Sequence, residues 1–302
     1  MSRDYKIAGL RIRFHEPCAD IAAAGVRSFG KFETEFDPGA ECVAEFRLDR
    51  DVHVADCDVR LLHKFDFPDA GHDCFFGRYA GGRIFWMRPY GRENAAADAV
   101  FVMADGSKEV VSNIACGRTP EPSLLRFGLW MMYGLAISGL QSAAVHSSVI
   151  VKDGGAVMFL GESGTGKSTH TRLWRENIEG ARLLNDDSPI VRIIDGRAMV
   201  CGSAWSGKTP CYIDECYPIK GIVRLSQAPH NRIRRLPLLE AFGAIYPSCP
   251  PAFAYDEELQ DRICDMLSEL LSTVGVWHLE CLPDADAARL SCATVFAAAD
   301  NQ

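Results

Sequence analysis

The sequence holds twelve cysteines in 302 residues yet has no Cys-x-x-Cys pair. Zinc fingers and zinc ribbons depend on that spacing, so no zinc framework is expected. Basic residues are not in excess either: 32 Lys and Arg stand against 40 Asp and Glu, a formal net charge of −8. An acidic surface is repelled by phosphate-bearing partners, which argues against a nucleic acid or a membrane as the general partner. The start Met1-Ser2-Arg3-Asp4 leads into no apolar segment of signal-peptide length. The expected location is therefore cytoplasmic, with the cysteines as free thiols, mostly buried. The longest apolar stretch, Leu124 to Leu140, is broken by Arg126, three glycines and Ser138. A buried helix fits it better than a membrane span. No internal repeat is visible.

What is present, 48% hydrophobic and 24% charged residues, is the composition of a globular protein with one large domain or two smaller ones. Assembly as a homo-oligomer is left open. Residues 1–115 alternate apolar and polar in short runs, for example Ile7 to Phe14, Cys42 to Leu48, Arg83 to Met87 and Ala99 to Met103. This predicts a β-rich N-terminal domain of unassigned role. Its turns Asp37-Pro38-Gly39, Gly81-Gly82 and Asp105-Gly106 suit hairpins. A Pro- and Gly-bearing linker at 116–122 and a helix from Ser123 follow. In residues 123–302 strands and helices alternate, which predicts an α/β domain with a mixed sheet and flanking helices, α+β for the chain as a whole. Strands are expected at Ala144 to Val151, Ala156 to Leu160, Ala181 to Leu184, Gly221 to Ser226 and Val276 to Cys281. Helices are expected from Lys167, Pro237, Asp256 and Asp284.

Between the second of those strands and the first helix stands Gly161-Glu162-Ser163-Gly164-Thr165-Gly166-Lys167-Ser168. It matches the phosphate-loop pattern G-x-x-x-x-G-K-[ST] in the strand–loop–helix setting the pattern requires. Glycines let consecutive N–H groups of the loop, with Ser163, Gly164, Thr165 and Thr169 around it, face a phosphate at the positive end of a helix. Lys167 is placed for the β- and γ-phosphates and Ser168 for Mg²⁺, so ATP with Mg²⁺ is the expected ligand pair. Asn185-Asp186-Asp187 closes the next strand. One aspartate can hold the metal while the other accepts a proton from an attacking hydroxyl; alternatively Asp187-Ser188-Pro189 is only a turn. His146 alone reads equally as a core side chain. Lys208, in Trp205-Ser206-Gly207-Lys208, can stabilise a transferring phosphoryl group or simply lie on the surface. Arg232, within the basic stretch of Arg224, Arg232, Arg234 and Arg235, is a candidate nucleotide contact, against the alternative of a solvated face.

His146, a hairpin, GESGTGKS and then Asp186-Asp187 together resemble the catalytic domain of HPr kinase/phosphorylase and, more distantly, the nucleotide core of ATP-dependent phosphoenolpyruvate carboxykinase. The resemblance covers about Val145 to Ser226 and places His146 in a strand. It implies His146 as orienter of an aspartate, Lys167 and Ser168 at phosphate and metal, and Asp186 or Asp187 as general base or metal ligand. The family's downstream Glu, Arg and Gly stretch, tied to phosphorolysis, is replaced here by Cys201-Gly202-Ser203-Ala204-Trp205-Ser206-Gly207-Lys208-Thr209-Pro210. The chain is thus similar to the divergent HPr-kinase-like proteins, some of which phosphorylate a serine in a peptide. The expected function is transfer of the γ-phosphoryl group to a hydroxyl-bearing acceptor: a protein, a peptide or a small molecule. A nucleotide-dependent switch module without transfer and a carboxykinase-type enzyme are the alternatives.

Overall fold

The computed structural model describes residues 1–20, 27–49, 51–54, 57–92, 98–114, 122–207 and 209–299. The linker expected at 116–122 lies outside them except for Pro122, and Lys208 lies outside them too. The chain is a mixed α+β protein with two mixed nine-stranded sheets. It divides into two compact units, Met1–Ile137 with Ala252–Glu257, and Ser138–Pro251 with Glu258–Gln302.

The first unit contains β1 (Arg3–Ile7), β2 (Leu10–Phe14), β3 (Glu33–Thr34), β4 (Ala44–Leu48), β5 (Arg60–Phe67), β6 (His72–Tyr79), β7 (Gly82–Pro89), β8 (Ala99–Ala104) and β9 (Glu109–Ser112). Their order in the sheet is β3-β1-β2-β4-β9-β8-β7-β6-β5. Hairpins form where the sequence places Gly81-Gly82 and Asp105-Gly106. Asp37-Pro38-Gly39 makes no hairpin, because the strands either side of it, β3 and β4, pair with β1 and β2 instead. Helix α1 (Pro122–Ile137) groups with this unit rather than with the residues after it, a boundary later than the one expected at 115. The reason is packing: Phe127 meets the rings of Phe65, Phe67 and Phe85, and a Cβ on Gly128 would strike the Phe101 ring at 2.1 Å. Ten residues of α1 are buried, which accounts for its apolar composition.

The second unit contains β10 (Ser142–Ala144), β11 (Ser147–Lys152), β12 (Gly155–Leu160), α2 (Lys167–Asn177), β13 (Arg182–Asp187), β14 (Ile190–Ile194), β15 (Arg197–Cys201), β16 (Cys216–Gln227), β17 (Arg232–Arg235), α3 (Leu238–Ile245), α4 (Glu257–Thr273), β18 (Val276–Cys281) and α5 (Ala285–Ala299). The order β10-β14-β15-β16-β12-β11-β13 is extended by β18 beside β16 and by β17 beside β18. β12, β16 and β18 run parallel, and their alternate residues Val157, Phe159, Val223, Leu225, Trp277 and Leu279 form the core with α2 and α5. β12 is buried at all six positions, as a strand covered on both faces must be. Its hairpin with β11 turns through Asp153 and Gly154 at φ 49° and 73°, which the glycine adopts without cost.

Two expectations need correction. Cys201 and Cys216 are a disulfide, not free thiols: β15 and β16 pair in a register that sets them opposite each other. Of the other described cysteines only Cys18, Cys42, Cys74 and Cys249 are buried, and Cys57, Cys211, Cys264, Cys281 and Cys292 are partly exposed. The Arg232 to Arg235 stretch is a strand exposed at three of its four positions, which is compatible with the solvated face expected of it, with Arg232 opposite Glu280 and Arg234 opposite His278.

Candidate functional site

β12 delivers the chain to Gly161, and the loop that follows turns on three glycines in the left-handed region: Gly161 at φ 155°, Gly164 at 81° and Gly166 at 107°. Side chains rarely adopt these values, so the glycines set the path. Nothing lies within 4 Å of the position a Cβ would take on Gly164 or Gly166, which leaves the loop's concave side open. Thr165 closes the turn by donating Oγ1–H to the Glu162 carbonyl at 2.7 Å. Gly166 is the N-cap of α2 and no side chain caps that helix end, so its first N–H groups and its positive dipole remain available to an anion. Behind it α2 is pinned against α5: Trp174 Nε1 donates to Ser291 Oγ at 2.9 Å, beside the buried His170.

Lys167 is half-buried and points back over the loop, donating to the carbonyls of Gly161 at 2.7 Å and Glu162 at 3.2 Å. Desolvation pushes its pKa down, while Asp187 and Asp186 pull it up. Ser168 donates Oγ–H to Asp186 Oδ1 at 3.1 Å. The loop and the aspartate pair thus meet through one hydrogen bond.

Asp186 and Asp187 are the last two residues of β13, and strand alternation gives them different surroundings. Asp186 is 8% exposed and Asp187 is partly exposed. His146 Nδ1 lies 3.2 Å from Asp187 Oδ1. Contrary to the strand position expected for it, His146 sits between β10 and β11, where its N–H donates to the Ser248 carbonyl at 2.7 Å. Asn185, with no exposed surface, ties the strand end together. Its Oδ1 accepts from the N–H of Asp187 and Ser188 at 3.0 and 2.9 Å, and its Nδ2 donates to the Trp205 carbonyl at 3.0 Å. The turn after β13 is therefore made by Asn185, and the Asp187 carboxylate is not consumed in capping it. The segment before Lys208 closes on the pair: Gly207 N–H donates to the Asp186 carbonyl at 3.2 Å, and Ser206 forms a bridge with Asp187.

Two clefts flank the loop. One of about 520 Å³ is lined by Gly164, Gly166, Thr169, Leu173 and Leu225. The other, about 740 Å³, is lined by Gly161, Glu162, Arg224, Arg234 and His278. Arg232 lines neither cleft, whereas Arg224 and Arg234 do. Ser163 is exposed at the tip of the loop. Burial pushes the His278 pKa down, and its Nε2 lies 2.8 Å from Ser226 Oγ. Among the described residues no three His, Cys, Asp or Glu side chains converge as a metal cage. Magnesium does not require one, since it commonly takes one or two carboxylates together with phosphate oxygens and water.

Sequence reading missed Ser148, Asn185 and Gln227. Ser148 donates to Asp186 Oδ1 at 2.7 Å, and Gln227 Nε2 donates to the Gly164 carbonyl at 3.3 Å. A serine inside a buried strand and an asparagine before two aspartates were the available signals. No model of a known protein family matches the chain, and no curated protein matches it in sequence.

Proposed function

We propose that residues 138–302 carry a P-loop nucleotide site and that the chain is an ATP- and Mg²⁺-dependent kinase transferring the γ-phosphoryl group to a hydroxyl. The observation that carries this reading is the hydrogen bond from Ser168 Oγ to Asp186 Oδ1 at 3.1 Å, which joins the motif's metal-binding hydroxyl to a carboxylate. The open glycine loop, the uncapped helix end and Lys167 fit a triphosphate. Lys167 exchanges its two carbonyl partners for phosphate oxygens, a stronger charge-assisted contact. Ser168 and Asp186 are the residues that would hold magnesium. Asp187, partly exposed and beside His146, is the base that accepts the acceptor's proton, and His146 holds the carboxylate in position. Bound there, magnesium ATP supplies the electrophilic phosphoryl group and the neutralisation of its charge.

The acceptor is a serine of a protein or peptide, or a small-molecule alcohol. Transfer runs forward only, because the Trp205 to Lys208 segment replaces the stretch tied to attack by inorganic phosphate. Candidate acceptors incubated with Mg²⁺ and ATP are to be read by mass spectrometry for gain of a phosphoryl group, in wild type and Asp187→Asn. General-base loss costs roughly 10²–10⁴-fold in rate, with ATP affinity kept. Equal transfer by the variant would sink the base assignment. Tight ATP binding without transfer to any acceptor would favour a switch module. Release of pyrophosphate from the phosphorylated acceptor in excess phosphate would overturn the forward-only reading.

A further inference from the structure

We propose that Ser148 is a positioning residue that holds Asp186 in place for the metal, an inference that rests on the metal-holding role proposed above for Asp186. Ser148 lies on β11, directly opposite Asp186 on β13 and Phe159 on β12, so it stands at the centre of the three strands that build the site. Its side chain is 1% exposed. The hydroxyl has one proton and two neighbours, Asp186 Oδ1 at 2.7 Å and Thr171 Oγ1 at 3.2 Å. A carboxylate at the shorter distance takes the proton. Thr171, in the second turn of α2, gives its own proton to the Ser168 carbonyl at 3.2 Å, so its approach to Ser148 is a packing contact and leaves Asp186 as the acceptor.

Asp186 Oδ1 therefore receives two hydroxyl donors, Ser148 and Ser168. A metal-ligating hydroxyl would present an oxygen lone pair to the ion while its proton stays directed at the carboxylate, so Ser168 would be shared between the ion and Asp186, whereas Ser148 would serve Asp186 alone. Ser148 belongs to a buried strand outside the loop and has no reason to move. It keeps the carboxylate in one rotamer and keeps a donor on one oxygen, which is how outer-shell partners tune a ligating carboxylate.

The test uses Mn²⁺ as the probe, titrated by electron paramagnetic resonance into the full chain with saturating ADP. Ser148→Ala is expected to weaken Mn²⁺ binding by about tenfold or more, the range for loss of an outer-shell partner, with metal-free ADP affinity changed less than about twofold. The control is Ser147→Ala. Its hydroxyl bonds only the Val145 carbonyl at 3.0 Å, so it is expected to lower the melting temperature and leave Mn²⁺ affinity unchanged. If Ser148→Ala does not fold, Ser148→Cys, close in size and a weaker donor, is expected to give a smaller loss of the same kind. Mn²⁺ affinity within twofold of wild type in the folded Ser148 variant, or an equal loss in Ser147→Ala, would overturn the inference. Unchanged Mn²⁺ affinity in Asp186→Asn would instead overturn the metal reading of Asp186 on which it stands.

Discussion

The two units use charge in opposite ways. In the first, buried charges are saturated: Asp4 accepts from Arg13 at 2.8 and 2.9 Å and from Arg11 at 2.8 Å, and Asp98 is held by Arg88 at 2.6 and 2.8 Å. Asp256, with no exposed side-chain surface, is clasped by Arg78 and Arg83 at 2.6 to 3.1 Å. In the second, the charges around the loop are under-used. Lys167 rests on two neutral carbonyls, and Asp187 and His146 share one contact while both stay open to solvent. A saturated ion pair in the interior holds a fold, whereas an ionisable group kept partly desolvated and partly free is available to a ligand.

Asp256→Asn should give the largest effect and break the comparison most directly if it fails. Removing the buried member of this ionic cluster leaves the two guanidinium groups to share the half-exposed Asp105, which costs about 3–5 kcal/mol. Urea unfolding should show that loss with nucleotide affinity unchanged. A loss below about 1 kcal/mol would mean that these ion pairs are no more than surface pairs in their energetics.

The next effect, near 3 kcal/mol, lies on the second unit's structural side. Burial pushes the His170 pKa from 6.5 down to about 4. Between these values the unfolded imidazole takes a proton that the folded one refuses, so stability falls as pH drops through that window, by about 3 kcal/mol at its lower end. Above pH 6.5 the group contributes no pH dependence. His170→Gln, uncharged throughout, should flatten the profile between pH 6.5 and 4 relative to wild type. Parallel profiles would show that His170 is not desolvated in the folded chain.

Much of the second unit was legible because its signals are local. Val276 to Cys281 is a strand as expected, with buried Val276, Trp277 and Leu279 between Gly275 and Pro283, and the motif loop stands between strand and helix as its pattern requires. What escaped reading is long-range. β17 reads as four surface residues, Arg232 to Arg235, until β18 supplies the partner that orders them. The Cys201–Cys216 disulfide depends on β15–β16 register, which no spacing rule encodes. Ala252–Glu257 groups with a unit more than a hundred residues upstream because Asp256 meets Arg78 and Arg83. Ser148 carries no local signal of its role, since its partner Asp186 lies 38 residues on.

Lys167→Ala sharpens the comparison from the other side. Losing a charge-assisted phosphate contact costs about 1.5–3 kcal/mol, or roughly one to two decades in ATP affinity by calorimetry. Stability should not fall, because the lysine loses solvation on folding and gains only carbonyl partners in return. A destabilised variant with ATP affinity intact would place Lys167 with the first unit's structural charges.

The smallest expected effect tests whether the segment before Lys208 belongs to the site. Gly207 lies against β13 so closely that a Cβ would stand 2.6 Å from the Asp186 carbonyl oxygen and 3.4 Å from Asp187 Cβ. The nearest atom belongs to a strand backbone anchored by Ser147 and Ser148 opposite, so the segment must move rather than the strand. Gly207→Ala should therefore break the Gly207 N–H bond to Asp186 and the Ser206 bridge to Asp187 while leaving the core untouched. Overpacking of this kind costs about 1–3 kcal/mol where the surroundings are rigid, and an edge segment relaxes toward the low end. If the segment positions groups over the aspartates, the variant loses about tenfold in phosphoryl transfer, equal to 1.4 kcal/mol, with ATP affinity kept. If transfer is unchanged while stability falls, the segment only covers β13, and the under-used charges of this unit end at Asp187.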